Sequence, residues 1–279
     1  MNRNTAAAAI AILLFASVGL SCSLLPPTRP LTWNLTLEID AAAADKDATV
    51  KRTVLVIERR LDELGLQSKV VAQGTPPNGR ITVSLADVPD HERVKRVLTA
   101  GGVLELAAVV SPPSPSPVQT YDTRAEAVAS LGDEPAANRR VLPYNERSDP
   151  NRNDRNSRTS RQPEKWVVVE APAIVDGSEL RSAAAVQSYA GSDAYLIHFS
   201  LGQDGAYKFG TWTGSHINDY LSVVLNGEVK SIAFIKSQIT DTGEISGNFT
   251  KQSAEDLALV LRSGALPVPV KIVEESANK

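Results

Sequence analysis

The amino-acid sequence predicts an α+β fold built mostly from antiparallel sheets and divided into two subdomains. Three observations carry this expectation. Segments with alternating apolar residues are interleaved with segments in which apolar residues recur every three or four positions, the periods of strand and helix. Glycines stand where the helical periods stop, and Asn226-Gly227 joins two apolar runs in the manner of a tight hairpin. Over residues 31–110 the segments run strand, helix, strand, strand, helix, strand, the order of a ferredoxin-like subdomain in which two helices cover one face of a four-stranded antiparallel sheet.

The first subdomain begins with a strand that places Trp33, Leu35, Leu37 and Ile39 on one side. Val50, Val54, Ile57, Leu61 and Leu64 then share one helical face, and Gly65 ends the helix. Residues 69–73 form a short strand, Asn78-Gly79 a turn, and Ile81, Val83 and Leu85 one face of the next strand. Asp90 caps a second helix carrying Val94, Val97 and Leu98, which Gly101 and Gly102 close before a strand over 103–110, expected as the fourth of the sheet.

Prolines alternate through SPPSPSP at 111–117, so a boundary is expected there. Residues 111–165 read as a Pro-rich linker and a mobile Arg/Asn-rich insertion. The stretch 145–163 holds five arginines, three acids and no aliphatic or aromatic residue, too little apolar surface to offset chain entropy. Its basic bias fits contact with anionic headgroups or an acidic partner. The interspersed acids dilute that field, and a solvated insertion is the favoured reading.

A second α+β subdomain with a C-terminal strand is expected over 166–275. It opens with the strand at Trp166, followed by one at 194–201 with Tyr195, Ile197 and Phe199 on one side. A helix over 204–217 turns Ala206 and Phe209 inward, and the Asn226-Gly227 hairpin follows. After a strand at 244–249, Thr250 caps a helix bearing Leu257, Val260 and Leu261; Gly264 ends it before a strand at 268–273.

A net charge of -3 over 279 residues gives no global basic field, so nucleic acid is not an expected partner. Arg3 and the small, apolar run 6–20 read as an export signal within 1–22. Three fates fit this run: cleavage, retention as a membrane anchor of about 20 residues, or lipid modification at Cys22. Gly19-Leu20-Ser21-Cys22 resembles a bacterial lipoprotein processing site and favours Cys22 as the lipid attachment point, although Gly19 departs from the usual larger aliphatic residue. Residues 23–30, with Pro26, Pro27 and Pro30, then form an extended tether. The expected location is the bacterial cell envelope, exported and membrane-tethered, facing the periplasm or the cell exterior.

Catalysis by a nucleophile needs a positioned base, and the chain has only three histidines, His91, His198 and His216, none beside a G-x-S-x-G. No C-x-x-C or H-x-x-x-H offers zinc ligands, and Asp45, Asp47, Asp241 and Glu244 lack the acidic loop of a calcium site. Phosphate-binding glycine motifs are missing too. The expectation is a binding protein with no catalytic residue, cofactor or metal. Trp33, Trp166 and Tyr220 are assigned to cores, and Trp212, in the polar stretch 210–215, is the best exposed candidate for partner contact.

Longer stretches carry a family resemblance. Ile245-Ser-Gly-Asn-Phe-Thr250, the segment 254–269 (AEDLALVLRSGALPVP) and Lys271-Ile-Val-Glu-Glu275 resemble the end of the large periplasmic domain of the translocase subunit SecD. The hairpin at 224–229, Phe199-Ser-Leu201, Gly205-Ala206, Lys208-Phe209 and the segment 52–65 (RTVLVIERRLDELG) match the same family in the same order. The resemblance implies a ferredoxin-like base with a head subdomain, and as partners exported polypeptides or Sec translocase components. The family's Gly-Gly segment at the first strand is replaced here by 31–36 (LTWNLT). SecD continues into a membrane bundle where this sequence ends, so the resemblance implies no proton-driven motor in this chain alone. A lipoprotein scaffold reusing the fold for an unrelated partner is the alternative.

Overall fold

The computed structural model describes residues 29–39, 46–73, 79–86, 88–132, 138–144, 165–189 and 192–277. The signal, Cys22, most of the tether, the turn at Asn78 and the stretch 145–163 lie outside the described residues. In chain order the base opens with β1 (Trp33–Ile39), α1 (Lys46–Glu63), β2 (Ser68–Gln73), β3 (Arg80–Leu85) and α2 (His91–Thr99). Then follow β4 (Leu104–Ala108), α3 (Arg124–Ala129), β5 (Arg139–Tyr144), β6 (Lys165–Glu170), β7 (Val175–Asp176), β8 (Leu180–Gln187) and β9 (Tyr195–Leu201). The chain ends with α4 (Gln203–Ser215), β10 (Tyr220–Leu225), β11 (Glu228–Phe234), β12 (Thr242–Phe249), α5 (Lys251–Ser263) and β13 (Val270–Ala277).

The base is the four-stranded antiparallel sheet β13-β1-β3-β2. Its buried face carries Trp33, Leu35, Leu37, Ile39, Ile81, Val83 and Leu85, packed with Ile57 and Leu61 of α1 and Val94 and Leu98 of α2. Alternation puts every second strand residue on that face, and the helices offer their apolar stripes to it. Asp90 accepts from the Arg93 amide at the start of α2, as its cap position requires.

The expected fourth strand is corrected by this sheet. Residues 104–108 form β4 in a different, six-stranded sheet, and β13, more than 160 residues later in the chain, takes the place beside β1. The reason is burial on both faces: Leu104 and Leu106 enter one core, while Ala107 enters another on the opposite side of the sheet. A strand apolar on both faces suits a central position between layers. The base is therefore ferredoxin-like with the head inserted between its second helix and last strand.

The head contains the six-stranded sheet β6-β5-β11-β10-β4-β7 and the three-stranded sheet β12-β9-β8. One core lies between them, formed by Leu104, Leu106, Leu221, Val223, Ile197, Phe199 and Ile245, with Phe209 of α4 and Ala258 and Leu261 of α5. Asn226 (φ 52) and Gly227 (φ 78) make the left-handed turn joining β10 to β11. β5 meets β11 in a parallel pairing; the other strand pairs are antiparallel. The linker expected over 111–165 holds two elements of the head, α3 and β5. Thr123 accepts from the Glu126 amide, and Glu126 accepts in return from the Asp122 amide, which starts α3.

Candidate functional site

Polar and aromatic side chains come together in a groove beside α4 and at the junction where the chain passes between base and head. At the groove, Gly205 lets the first turn of α4 lie against Glu179, since a Cβ there would stand 2.9 Å from the Glu179 Cβ. Glu179 pairs with Lys208 and raises the lysine's pKa above its ordinary value by accepting its hydrogen bond. The buried Thr213 hydroxyl donates to the Phe209 carbonyl at 2.8 Å and accepts from the Ile239 amide at 3.0 Å, holding the loop after β11 on the helix.

These constraints turn Tyr207, Lys208, Thr211, Trp212 and Ser215 to one face of α4, where with Glu170, Pro172 and Ile174 they line a groove of about 520 Å³. Tyr207 is 76% exposed, whereas Trp212 is half-buried, its ring against the head core. Trp212 also stacks on His216, with ring centroids 4.1 Å apart and planes 9° apart, and the Trp212 carbonyl lies 2.7 Å from His216 Nδ1. The exposed residue expected at Trp212 is thus a groove wall, and the exposed aromatic beside it is Tyr207. Helical spacing placed residues 207, 208, 211 and 212 together in principle, but no local pattern announces that the β6–β7 connection faces them.

At the junction Arg60 is fully buried and donates through Nη1 to the carbonyls of Val97 (2.8 Å) and Ala100 (2.6 Å), and through Nη2 to Gly264 (3.1 Å). One guanidinium therefore ties the end of α2, where the chain leaves the base, to the end of α5, where it returns. Burial pushes the Arg60 pKa down to about 10, so the group is still charged at neutral pH. Around it, Asn226 Oδ1 accepts from the Val103 amide at 2.9 Å and the Leu266 amide donates to Gly101 at 2.8 Å. Gly102 (φ +75) is required by conformation and by space, since a Cβ would stand 2.7 Å from Val260 Cγ1. Ion pairs cross from base to head, Arg93 to Asp256 at 2.7 Å and Glu63 to Arg262.

The three histidines are dispersed: His91 stacks on Trp33, His216 on Trp212, and His198 lies exposed on β9. Trp33 is buried as expected, while Trp166 and Tyr220 are half-buried. Among the described residues no group of three or more His, Cys, Asp or Glu side chains is placed to hold a metal ion. Among them, too, no helix is long and apolar enough to cross a membrane.

The geometry defines a class: a ferredoxin-like domain opened between its second helix and last strand to carry a two-sheet head. Both parts are similar to the periplasmic P1 domain of SecD. Residues 154–268 match the family model of the SecDF P1 head subdomain, and residues 50–111 match that of the N-terminal part of the P1 domain of protein translocase subunit SecDF. The chain is 34% identical to the protein translocase subunit SecD of Koribacter versatilis over 82% of its length and 39% of that protein's. With SecD of Aquifex aeolicus the identity is 33%, over 82% of this chain and 40% of the relative. The chain thus spans about two fifths of the length of these relatives. A solved structure of SecDF, a membrane component that enhances protein export, superposes with a TM-score of 0.60 at 24% identity, covering 86% of this chain and 98% of the solved one. A super-membrane-facing form of SecDF gives 0.62 at 24% identity over 89% of this chain and 32% of the other. The ferredoxin-like base and its head are SecD-like in sequence and in fold.

Proposed function

We propose that this protein is a non-catalytic envelope protein that supports protein export by binding exported polypeptides or Sec translocase components. The observation that carries this reading is the similarity of base and head alike, in order, to the P1 domain of SecD. The groove beside α4 supplies a surface suited to such contact: Tyr207 and Trp212 offer large amphipathic rings, and Pro172 and Ile174 an apolar wall. A photo-crosslinking residue in place of the exposed Tyr207 captures translocating chains or Sec components in cells on this reading, and Trp212→Ala lowers the yield. Capture of a single stoichiometric folded partner without exported clients would overturn it in favour of a scaffold.

The same reading holds the domain at an envelope membrane through lipid on Cys22, motivated by Gly19-Leu20-Ser21-Cys22 after the apolar run. Mass spectrometry of the native N-terminus finds a diacyl or triacyl cysteine if this is right; an uncleaved Met1 terminus contradicts it.

A further inference from the structure

On α1, Arg52, Leu55, Val56 and Arg59 follow the spacing i, i+3, i+4, i+7, so one stripe of the base helix lines the gap to the head. Val103, Leu180, Arg181 and Arg262 face it across a cleft of about 770 Å³, within the range of roughly 300–1,000 Å³ that ligand pockets occupy. Leu55 and Val103 are 52% and 40% exposed, so the cleft presents apolar side chains to water.

The charges are unequally matched. Arg262 is neutralised by Glu63 and also donates to the Ala183 carbonyl at 2.7 Å; Arg181 lies 3.5 Å from Asp241. Two carboxylates belong to the lining, and both are engaged: Glu105 accepts two hydrogen bonds of 3.0 Å from Arg140, and Asp176 caps the turn at Ser178. Arg52 and Arg59 are exposed and form no ion pair with any described residue. Seven residues apart on a helix, they stand about 10 Å from one another along its axis. Polypeptide in the extended polyproline II form has three residues per turn and advances about 3.1 Å per residue, so carboxylates three residues apart lie on one side of it about 9 Å apart, close to that separation.

We infer that this cleft is a docking site for an extended polypeptide segment in which acidic residues three positions apart flank apolar ones. The apolar side chains cover Leu55 and Val103 while the carboxylates meet Arg52 and Arg59. A concave site between two bodies suits a chain segment; a flat bilayer surface does not reach its floor. The inference rests on the reading of the domain as a polypeptide binder, but places the contact away from α4.

Fluorescence anisotropy of the purified full chain tests it with a labelled peptide of repeating Glu-Leu-Leu units, and with the same peptide carrying Lys for Glu. The Glu peptide binds more tightly than the Lys peptide, and increasingly weakly as salt rises. The R52E/R59E variant loses about tenfold in affinity for it, and Lys251→Glu, a charge reversal at the exposed start of α5 outside the cleft lining, loses none. Both arginines are exposed, and an unchanged thermal melt confirms that the variant is folded. Equal binding of the two peptides by the unaltered protein overturns the inference without reference to any variant. So does undiminished binding by R52E/R59E, or association with anionic phosphatidylglycerol vesicles in place of the peptide. Loss of binding in Trp212→Ala alone assigns the peptide to the α4 groove and likewise overturns it.

Discussion

Arg60 is a charge placed where charge is expensive, and it is tolerated because carbonyl oxygens at two chain crossings surround the guanidinium. Its Nε–H is left without a partner, so the satisfaction is incomplete. Arg60→Met strips the Val97, Ala100 and Gly264 carbonyls of their donor inside the fold. We expect a loss of about 2–4 kcal/mol in urea denaturation; an unchanged midpoint would show that the carbonyls find water instead. Gly102→Ala meets both the positive φ and the Val260 methyl, and should cost about 2 kcal/mol by the same measurement. Neither role was visible in the chain, where Arg60 reads as one of two adjacent arginines on a charged helix and Gly102 as a helix stop. The family resemblance of 52–65 covered Arg60 without distinguishing it from Arg59, which is exposed. Similarly, Trp212 was legible as a notable aromatic, but its burial depends on His216 and on a core assembled from other elements.

Among the elements, the β10–β11 hairpin was the most legible, because Asn-Gly tolerates left-handed backbone and the flanking runs are apolar. Its tertiary part was not legible: the Asn226 side chain also holds Val103, its Oδ1 accepting from the Val103 amide at 2.9 Å. Asn226→Ala should therefore cost about 1–2 kcal/mol in thermal or chemical unfolding, more than turn preference alone, whereas Asn226→Gly recovers the turn and loses only the side-chain bond. The helix α5 owes its position to two apolar faces. Ala254, Ala258 and Leu261 enter the head core, and Leu259 and Val260 pack with Val97 of α2 and Leu64. Three-and-four spacing identified the helix, but a helix apolar on two sides does not name its neighbours. α3, β5 and β8 escaped detection because α3 has only 6 residues, β5 contains Pro143 and β8 is largely small residues, so none carries a strong period.

At the scale of the whole molecule, the late return of β13 makes the base depend on the completed head. Lys95 of α2 and the Trp33 indole of β1 both donate to Glu275 of β13, each at 3.1 Å. The Lys95 hydrogen bond, followed by that of Trp33, holds the Glu275 carboxyl below its ordinary pKa, and the Arg93 amide does the same for Asp90. A carboxylate lowered in the folded state contributes stability above its unfolded pKa and loses it as pH falls through the folded one. Stability should therefore decline as pH drops below about 5, with Glu275→Gln showing a shallower acid slope in melts recorded across that range. Equal slopes would mean that the strand is held by its ladder alone.

Length, charge, periods of two and 3.6, caps and the Asn-Gly turn determined from the sequence alone that this is an α+β protein, where most of its helices and strands lie, and that it resembles SecD. Those signals are local or, like the resemblance, carried by contiguous segments. Which strand closes the base, that the head is an insertion, and where Arg60, Trp212 and the Arg52–Arg59 stripe find their surroundings were decided only in three dimensions. β4 and β13 have similar apolar runs, and the choice between them depends on which strand is apolar on both faces of a finished sheet and which can pair beside β1 once the chain has crossed twice through a junction built around one buried guanidinium.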